Sequence, residues 1–179
     1  MPNAPVFEFE RKFIVKRISS LPFDLTKAQK ADIKQGFYSG LPSPLRIRAT
    51  NDEYTLTKKF VLGENKGQLE EVTLPLKKSE FKVLFPRAYK KIFKTRYSFC
   101  WHGYKVDLDV FRGKLKGLII AEFEFASKEE MEQFLPPSFL GVEITQQEWA
   151  TNSRLALLTF SRLQKILARY EKTVLGKNI

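Results

Sequence analysis

Residues 105–111 read KVDLDVF and residues 118–125 read LIIAEFEF, and in both stretches charged and apolar side chains alternate. A period of two places the charged side chains on one face of a β-strand and the apolar side chains on the other. Similar alternation occurs in six further segments, at 7–14, 33–39, 45–49, 53–60, 70–76 and 94–99. These eight segments predict a mainly β, antiparallel protein.

Several of these strands carry charged side chains of a single sign on one face. One strand carries Arg46 and Arg48 on a single face, and another carries Asp107 and Asp109. For any one strand, a solvated polar face is the commoner explanation. Because the pattern repeats eight times, it favours a closed eight-stranded antiparallel β-barrel whose apolar faces point outward against helices. The expected fold class is therefore α+β, mainly β, with flanking helices and a C-terminal helix.

The interior of such a barrel would contain cations and carboxylates together. Two like charges 4 Å apart repel by about 4 kcal/mol at an effective dielectric constant of 20, so a confined basic cluster needs an anion such as polyphosphate. Carboxylates beside that anion need Mg²⁺ or Mn²⁺, hard cations that accept oxygen ligands. The cations are Lys12, Arg46, Arg48, Lys59, Lys94 and Arg96, and the carboxylates are Glu8, Glu10, Glu71, Asp107, Asp109, Glu122 and Glu124.

Three helices are predicted along the chain. The first covers residues 79–91 and contains Pro86, which favours a short or broken helix. The second begins with a capping box in which Ser127 is the N-cap and Glu130 the third helical residue. The last helix covers about 152–172. We expect one domain spanning residues 1–179, because this length buries a core without requiring a second domain.

Composition narrows the class of partner and the chemistry of any metal site. The 31 Lys and Arg against 20 Asp and Glu give a net charge of +11, which favours an anionic partner: nucleic acid, anionic membrane or a phosphorylated small molecule. With one Cys and one His, the usual Cys/His metal sites are excluded. Apolar stretches are too short to cross a bilayer, and the first residues do not resemble a secretory signal, so we expect a cytoplasmic protein without membrane contact.

Several segments, taken in order, resemble the CYTH superfamily, the triphosphate tunnel metalloenzymes. Residues 8–12 match its Glu-x-Glu-x-Lys signature, and residues 34–37, 45–48, 56–59, 94–97, 107–111 and 121–125 follow in the family's order and spacing. The likeness extends from Glu8 to about Ala156. It implies an eight-stranded tunnel, dependence on a divalent metal and substrates that carry a triphosphate.

The resemblance also implies roles for individual residues. Glu8 and Glu10, with Glu122 or Glu124, would bind the metal. Glu71 and Asp107 or Asp109 would have catalytic roles, placing a second metal or the attacking water. Lys12 would have a catalytic role as well as a phosphate-binding one. The other residues that would bind phosphate oxygens are Arg46, Arg48, Lys59, Lys94 and Arg96.

Two departures from the family pattern concern the second carboxylate pair and the end of the tunnel. Residues 71–73 read EVT where many members have Glu-x-Glu, and residues 147–152 read QEWATN where relatives tend to have Arg-Tyr before the Asn. The leading interpretation is hydrolysis of inorganic tripolyphosphate. The alternatives are a thiamine triphosphatase, an adenylate cyclase and a noncatalytic polyphosphate- or RNA-binding module. We expect a small-molecule partner rather than nucleic acid, and the oligomeric state stays open.

Overall fold

The computed structural model describes residues 9–38, 45–61 and 69–175, with the side chains of 59–61, 69–70 and 173–175 left aside. Its strands form one antiparallel sheet in the order β5-β4-β3-β2-β6-β7-β8-β1-β9. The strands are β1 Phe9–Val15, β2 Gln29–Tyr38, β3 Leu45–Thr50, β4 Glu53–Val61, β5 Leu69–Leu76, β6 Lys90–Trp101, β7 Tyr104–Phe111, β8 Ile119–Phe125 and β9 Leu140–Glu143.

The four α-helices are short except for the last. They are α1 Lys78–Leu84, α2 Lys128–Gln133, α3 Asn152–Leu155 and α4 Phe160–Leu175. Ser127 caps α2 as predicted, since its side chain accepts a hydrogen bond from the Glu130 backbone. Five 3-10 turns, at Ile18–Ser20, Leu25–Lys27, Phe85–Arg87, Gly113–Leu115 and Glu148–Ala150, complete the described elements.

The two faces of the sheet differ in the way that the alternation predicts. We call the face that carries Glu10, Lys12, Lys94, Arg96 and Asp109 the charged face. The opposite, apolar face buries Ile47 and Ala49 with Phe81 of α1, and Phe13 and Phe123 with Phe134, which follows α2. The apolar face is thus covered by α1 and α2.

Helices α3 and α4 pack on the other side of the sheet. Leu155 and Leu163 join a core with Ile14, Phe37, Ile92, Phe111 and Ile120. These five strand residues alternate in phase with the charges, so they belong to the charged face, at one end of it. The apolar face packs against helices as expected, whereas the position of α3 and α4 on the charged side was not predicted from the sequence.

Two predicted helices have different limits in the structure. The segment 79–91 is helical only as α1 and the following 3-10 turn, and β6 begins at Lys90, because Pro86 cannot continue an α-helix. The C-terminal segment 152–172 is not one helix. It breaks between Leu155 and Phe160, where the Thr159 hydroxyl accepts a hydrogen bond from the Arg162 backbone and starts α4.

The mainly β antiparallel architecture is confirmed, and the described residues form nine strands where eight were predicted. The additional strand is β9, which has only four residues and no clear alternation. In the linear strand order, β5 and β9 are the two edges of the sheet, and no pairing joins them within the described residues. Closure of the barrel stays a prediction.

Candidate active site

Strand register brings the predicted acidic residues together. Glu10 of β1 lies opposite Glu124 of β8, and Glu122 lies opposite both Lys12 and Asp107. Asp109, which is on β7 like Asp107, lies opposite Arg96 of β6. We call the region formed by Glu10, Asp107, Asp109, Glu122 and Glu124 the acidic half of the charged face.

Arg96 is the centre of the acidic half. Its Nε and Nη2 donate to the two carboxylate oxygens of Asp109 at 2.8 and 2.7 Å, Nη1 donates to Asp107 at 2.5 Å, and Nη2 also donates to Glu122 at 2.6 Å. A guanidinium has five N–H donors, so one N–H on Nη1 is left. Burial lowers the pKa of Arg96, but the bonds to Asp109 and its neighbours raise it above its ordinary value overall.

Lys94 lies deeper, with 1% of its surface exposed, and its ammonium donates to Asp109. Burial lowers the pKa of Lys94, although the Asp109 carboxylate opposes the shift. The pKa of Asp109 is lowered as well: burial would raise it, but the charges of Lys94 and Arg96 outweigh burial. Asp109 is therefore held as a carboxylate between two cations.

Lysines neutralise the remaining carboxylates. The Lys12 ammonium lies 2.9 Å from Glu10 Oε1 and 3.2 Å from Glu122 Oε1, and Lys105 lies 2.8 Å from Glu124. Burial lowers the pKa of Lys12, but Glu122 and Glu10 raise it above its ordinary value. Every carboxylate of the acidic half thus contacts a cation of the protein itself.

Arg46 and Arg48 of β3, which we call the arginine pair, are less well compensated. Arg46 Nη2 lies 3.0 Å from Glu71, while its buried Nε has no hydrogen-bond acceptor among the described residues. The Arg48 side chain contacts the fully buried side chain of Gln35. In the amide orientation that fits both groups, the Gln35 oxygen accepts from Arg48 Nη2 at 2.6 Å and from Nε at 2.7 Å.

The electrostatics of Arg48 differ from those of Arg96. Its pKa is lowered to about 10, first because it is buried and then because Arg46 and Arg96 are nearby cations. A neutral amide cannot offset a buried positive charge, and a buried donor without an acceptor is costly. The carboxylates of Glu71 and Asp109 act on the Arg48 pKa in the opposite direction without outweighing these effects, so the positive charge of the arginine pair is incompletely compensated.

The structure brings most of the predicted site residues to one face. Glu8 lies outside the described residues, and so does the side chain of Lys59 in β4. Glu71 contacts Arg46 at the opposite side of the charged face from Asp107 and Asp109. Among the described residues, no three acidic, His or Cys side chains are gathered closely enough to hold a metal ion.

Sequence reasoning assigned no role to three polar residues that orient the charged groups. These are Gln35 beneath Arg48, Ser98, whose hydroxyl donates to Asp107, and Lys105 beside Glu124. Gln35 had a signal, because it stands between the apolar residues Ile33 and Phe37 on one face of β2. Ser98 and Lys105 carry no comparable signal.

Comparisons with known proteins show which family the chain belongs to. An inorganic triphosphatase of Nitrosomonas europaea is 32% identical over 157 residues, covering 84% of this chain and 97% of that protein. An inorganic triphosphatase of Acetivibrio thermocellus is 30% identical over 154 residues, covering 83% and 92%. The chain belongs to the inorganic triphosphatase family of the CYTH superfamily. The resemblance seen in the sequence is thereby confirmed.

Structural comparison agrees with membership of this family. The crystal structure of the inorganic triphosphatase NE1496 matches with a TM-score of 0.69 and 30% identity, over 86% of this chain and 96% of that one. No family model matches the chain. Within the described residues, no helix is both long and apolar enough to cross a bilayer.

Proposed function

We propose that this protein hydrolyses inorganic tripolyphosphate to pyrophosphate and phosphate with the help of a divalent metal, Mg²⁺ or Mn²⁺. The observation that carries the proposal is the arginine pair. Arg46 has a buried Nε without an acceptor among the described residues, and Arg48, whose pKa is lowered, hydrogen-bonds to the neutral amide of Gln35. Phosphate oxygens would satisfy both, because guanidinium groups bind phosphate through paired N–H donors.

In this proposal, the arginine pair holds the phosphate groups together with Lys59 and Lys12. Lys12 links the phosphate-binding residues to the carboxylates, since its ammonium already bridges Glu10 and Glu122. The binding groups therefore orient the terminal phosphate beside the carboxylates. Water adds to its phosphorus, the bond to the bridging oxygen breaks, and pyrophosphate leaves.

The donors of the acidic half fit a hard divalent cation. Glu10 and Glu122 offer carboxylate oxygens within reach of a single cation, as their shared contact with the Lys12 ammonium demonstrates. Glu124 is in register with Glu10. In the structure Glu10, Glu122 and Glu124 are not gathered closely enough for all three to hold one ion. We propose that Glu10 and Glu122 would bind the metal with Glu8, and that Glu124 would join them on binding. When bound, the metal would supply charge stabilisation at the phosphate oxygens.

Lys94 and Arg96 receive a more specific role than the sequence suggests. Arg96 commits four hydrogen bonds to carboxylates, and Lys94 is buried on Asp109. We propose that they mainly hold Asp107, Asp109 and Glu122 in place. The remaining N–H of Arg96 is available to a phosphate oxygen. Asp107 would then accept the proton of the attacking water, and Glu71 would orient Arg46.

We also propose that the sheet closes into the predicted tunnel. The support is burial on the charged face, where Gln35 is 0%, Thr57 1% and Asp109 1% exposed. Polar side chains on the open face of a flat sheet would be solvated. A curled sheet that surrounds its ligand explains why they are not.

The test is phosphate release from tripolyphosphate, pyrophosphate, ATP and thiamine triphosphate, each with Mg²⁺ or Mn²⁺. We expect tripolyphosphate to be cleaved much faster than pyrophosphate, because only the longer anion reaches both the arginine pair and the acidic half. Glu8→Gln, Glu10→Gln and EDTA should each abolish turnover while the fold persists. Equal rates on tripolyphosphate and pyrophosphate would refute the proposal, as would cyclic AMP as the main product from ATP.

A further inference from the structure

The backbone of β1 at Lys12 is held from its β9 side by an unusual arrangement. The regular pairing of β1 with β9 shifts register between Phe13 and Val15 and ends at Glu143. The Lys12 carbonyl accepts a hydrogen bond from the Ile144 backbone at 2.8 Å, and the Lys12 N–H donates to the Thr145 hydroxyl at 3.1 Å. A side chain thus replaces the backbone acceptor that a longer strand would supply.

The Thr145 hydroxyl is itself fixed by an ion pair. It donates to Glu143 Oε1 at 2.5 Å, which leaves its lone pairs free for the Lys12 N–H. Glu143 accepts from Arg11 Nε at 2.9 Å and Nη2 at 2.6 Å, and Arg11 Nη1 donates to the Phe134 carbonyl at 2.7 Å. We call Arg11, Glu143 and Thr145 the β1 clamp. It joins β1 to β9 and to the end of α2.

The β1 clamp lies across the sheet from the candidate active site. Arg11 alternates with Lys12 along β1, so the Arg11 side chain is on the apolar face while that of Lys12 is on the charged face. Arg11, Glu143 and Thr145 also border an outer cavity of about 560 Å³ lined by Met131, Gln147 and Tyr170. The clamp therefore cannot touch a substrate on the charged face, but it holds the backbone from which Lys12 extends.

We propose that Arg11, Glu143 and Thr145 are positioning residues that aim the Lys12 ammonium at the triphosphate, an inference that rests on the proposed function. Lys12 needs this support because it reaches Glu10 and Glu122 from a strand near the edge of the sheet, where β9 contributes only four residues. Displacement of a catalytic group by about 1 Å costs on the order of 100-fold in rate.

A double-mutant cycle tests the inference. Thr145→Val removes the hydroxyl with little change in shape, and Lys12→Met removes the ammonium. We measure kcat and KM on tripolyphosphate, and tripolyphosphate affinity by calorimetry in EDTA, for both single variants and the double variant. We expect Thr145→Val to lower kcat/KM by about 10- to 100-fold in the parent. It should have no further effect in the Lys12→Met background, because the clamp acts through Lys12.

Matched variants separate positioning from general weakening. Thr145→Ser keeps the hydroxyl and should restore the parent kcat/KM, while Glu143→Gln should lower it in the same direction as Thr145→Val. Thr26→Val removes a comparable hydroxyl bond, to Asp24 on an exposed turn, and should leave kinetics unchanged. All variants are compared below their melting temperatures, with circular dichroism confirming the fold.

The outcomes distinguish this inference from the proposed function. If Thr145→Val causes equal losses with and without Lys12, the clamp is only structural and the inference is overturned while the hydrolase proposal stands. If the parent does not hydrolyse tripolyphosphate but the calorimetric affinities show the same dependence on Lys12, the proposed function fails and the inference stands. A parent that does not bind tripolyphosphate overturns both.

Discussion

The arginine pair and the acidic half share one face of one sheet, but they differ in how their charges are compensated. In the acidic half, the single guanidinium of Arg96 bonds to three carboxylates, Asp107, Asp109 and Glu122. In the arginine pair, Arg48 hydrogen-bonds to the neutral amide of Gln35, and Arg46, which contacts Glu71, has an Nε without an acceptor among the described residues. The difference teaches that strands with the same local pattern can place arginines in different surroundings: in our proposal Arg96 mainly holds carboxylates in place, and the arginine pair binds the phosphates.

The largest expected effect on the free energy of unfolding comes from removing Arg96 from the acidic half. Arg96→Met leaves three neighbouring carboxylates without their main partner and should lower the free energy of unfolding by about 3–5 kcal/mol. For a protein of this size, that loss corresponds to a fall in melting temperature of roughly 6 to 20 °C. Urea unfolding followed by circular dichroism measures it.

Arg48→Met is the matched variant for that experiment. Relief of a buried, poorly compensated charge should offset the loss of the Gln35 bonds, so the free energy of unfolding should change by less than about 1 kcal/mol. Equal destabilisation by Arg96→Met and Arg48→Met would show that the two regions do not differ in the way described.

An intermediate effect is expected from ligand binding. At 100 times its Kd, tripolyphosphate stabilises the folded state by about 2.7 kcal/mol, which corresponds to roughly 5 to 10 °C in melting temperature. The shift is measured by calorimetric scanning in EDTA, with sulfate at matched ionic strength as the control for screening. Arg46→Ala and Arg48→Met should lose most of the shift. If both retain it in full, the phosphates are held elsewhere.

The smallest effect concerns acid stability. Because the folded-state pKa of Asp109 is lowered, its contribution is complete above the unfolded-state value of about 3.9 and is lost as the pH falls through the folded-state pKa. Asp109→Asn should therefore reduce the slope of unfolding free energy against pH below pH 4, by at most about 1.4 kcal/mol per pH unit. Arg48→Met should leave that slope unchanged. An unaltered slope in Asp109→Asn would assign acid sensitivity to other carboxylates.

Local alternation was sufficient to predict the charged face, because the direction of a strand side chain depends only on its position along the strand. It could not predict which charges pair, since Arg96 and Arg48 have the same local pattern and differ only in their tertiary neighbours, Asp109 and Gln35. β9 was missed because its four residues owe their conformation to pairing with β1. Leu155 was recognised as apolar, but nothing in its spacing reveals that α3 packs on the charged side.

The packing of α3 and α4 at one end of the charged face also affects how products leave. Leu155 and Leu163 pack against Ile92 and Phe111 at that end, so in the proposed tunnel an anion on the charged face would be approached from the other end. Pyrophosphate would then depart by the route that the next tripolyphosphate takes, and its oxygens suit the same guanidinium groups. When pyrophosphate is allowed to accumulate, it should accordingly act as a competitive inhibitor and slow turnover well before the substrate is exhausted.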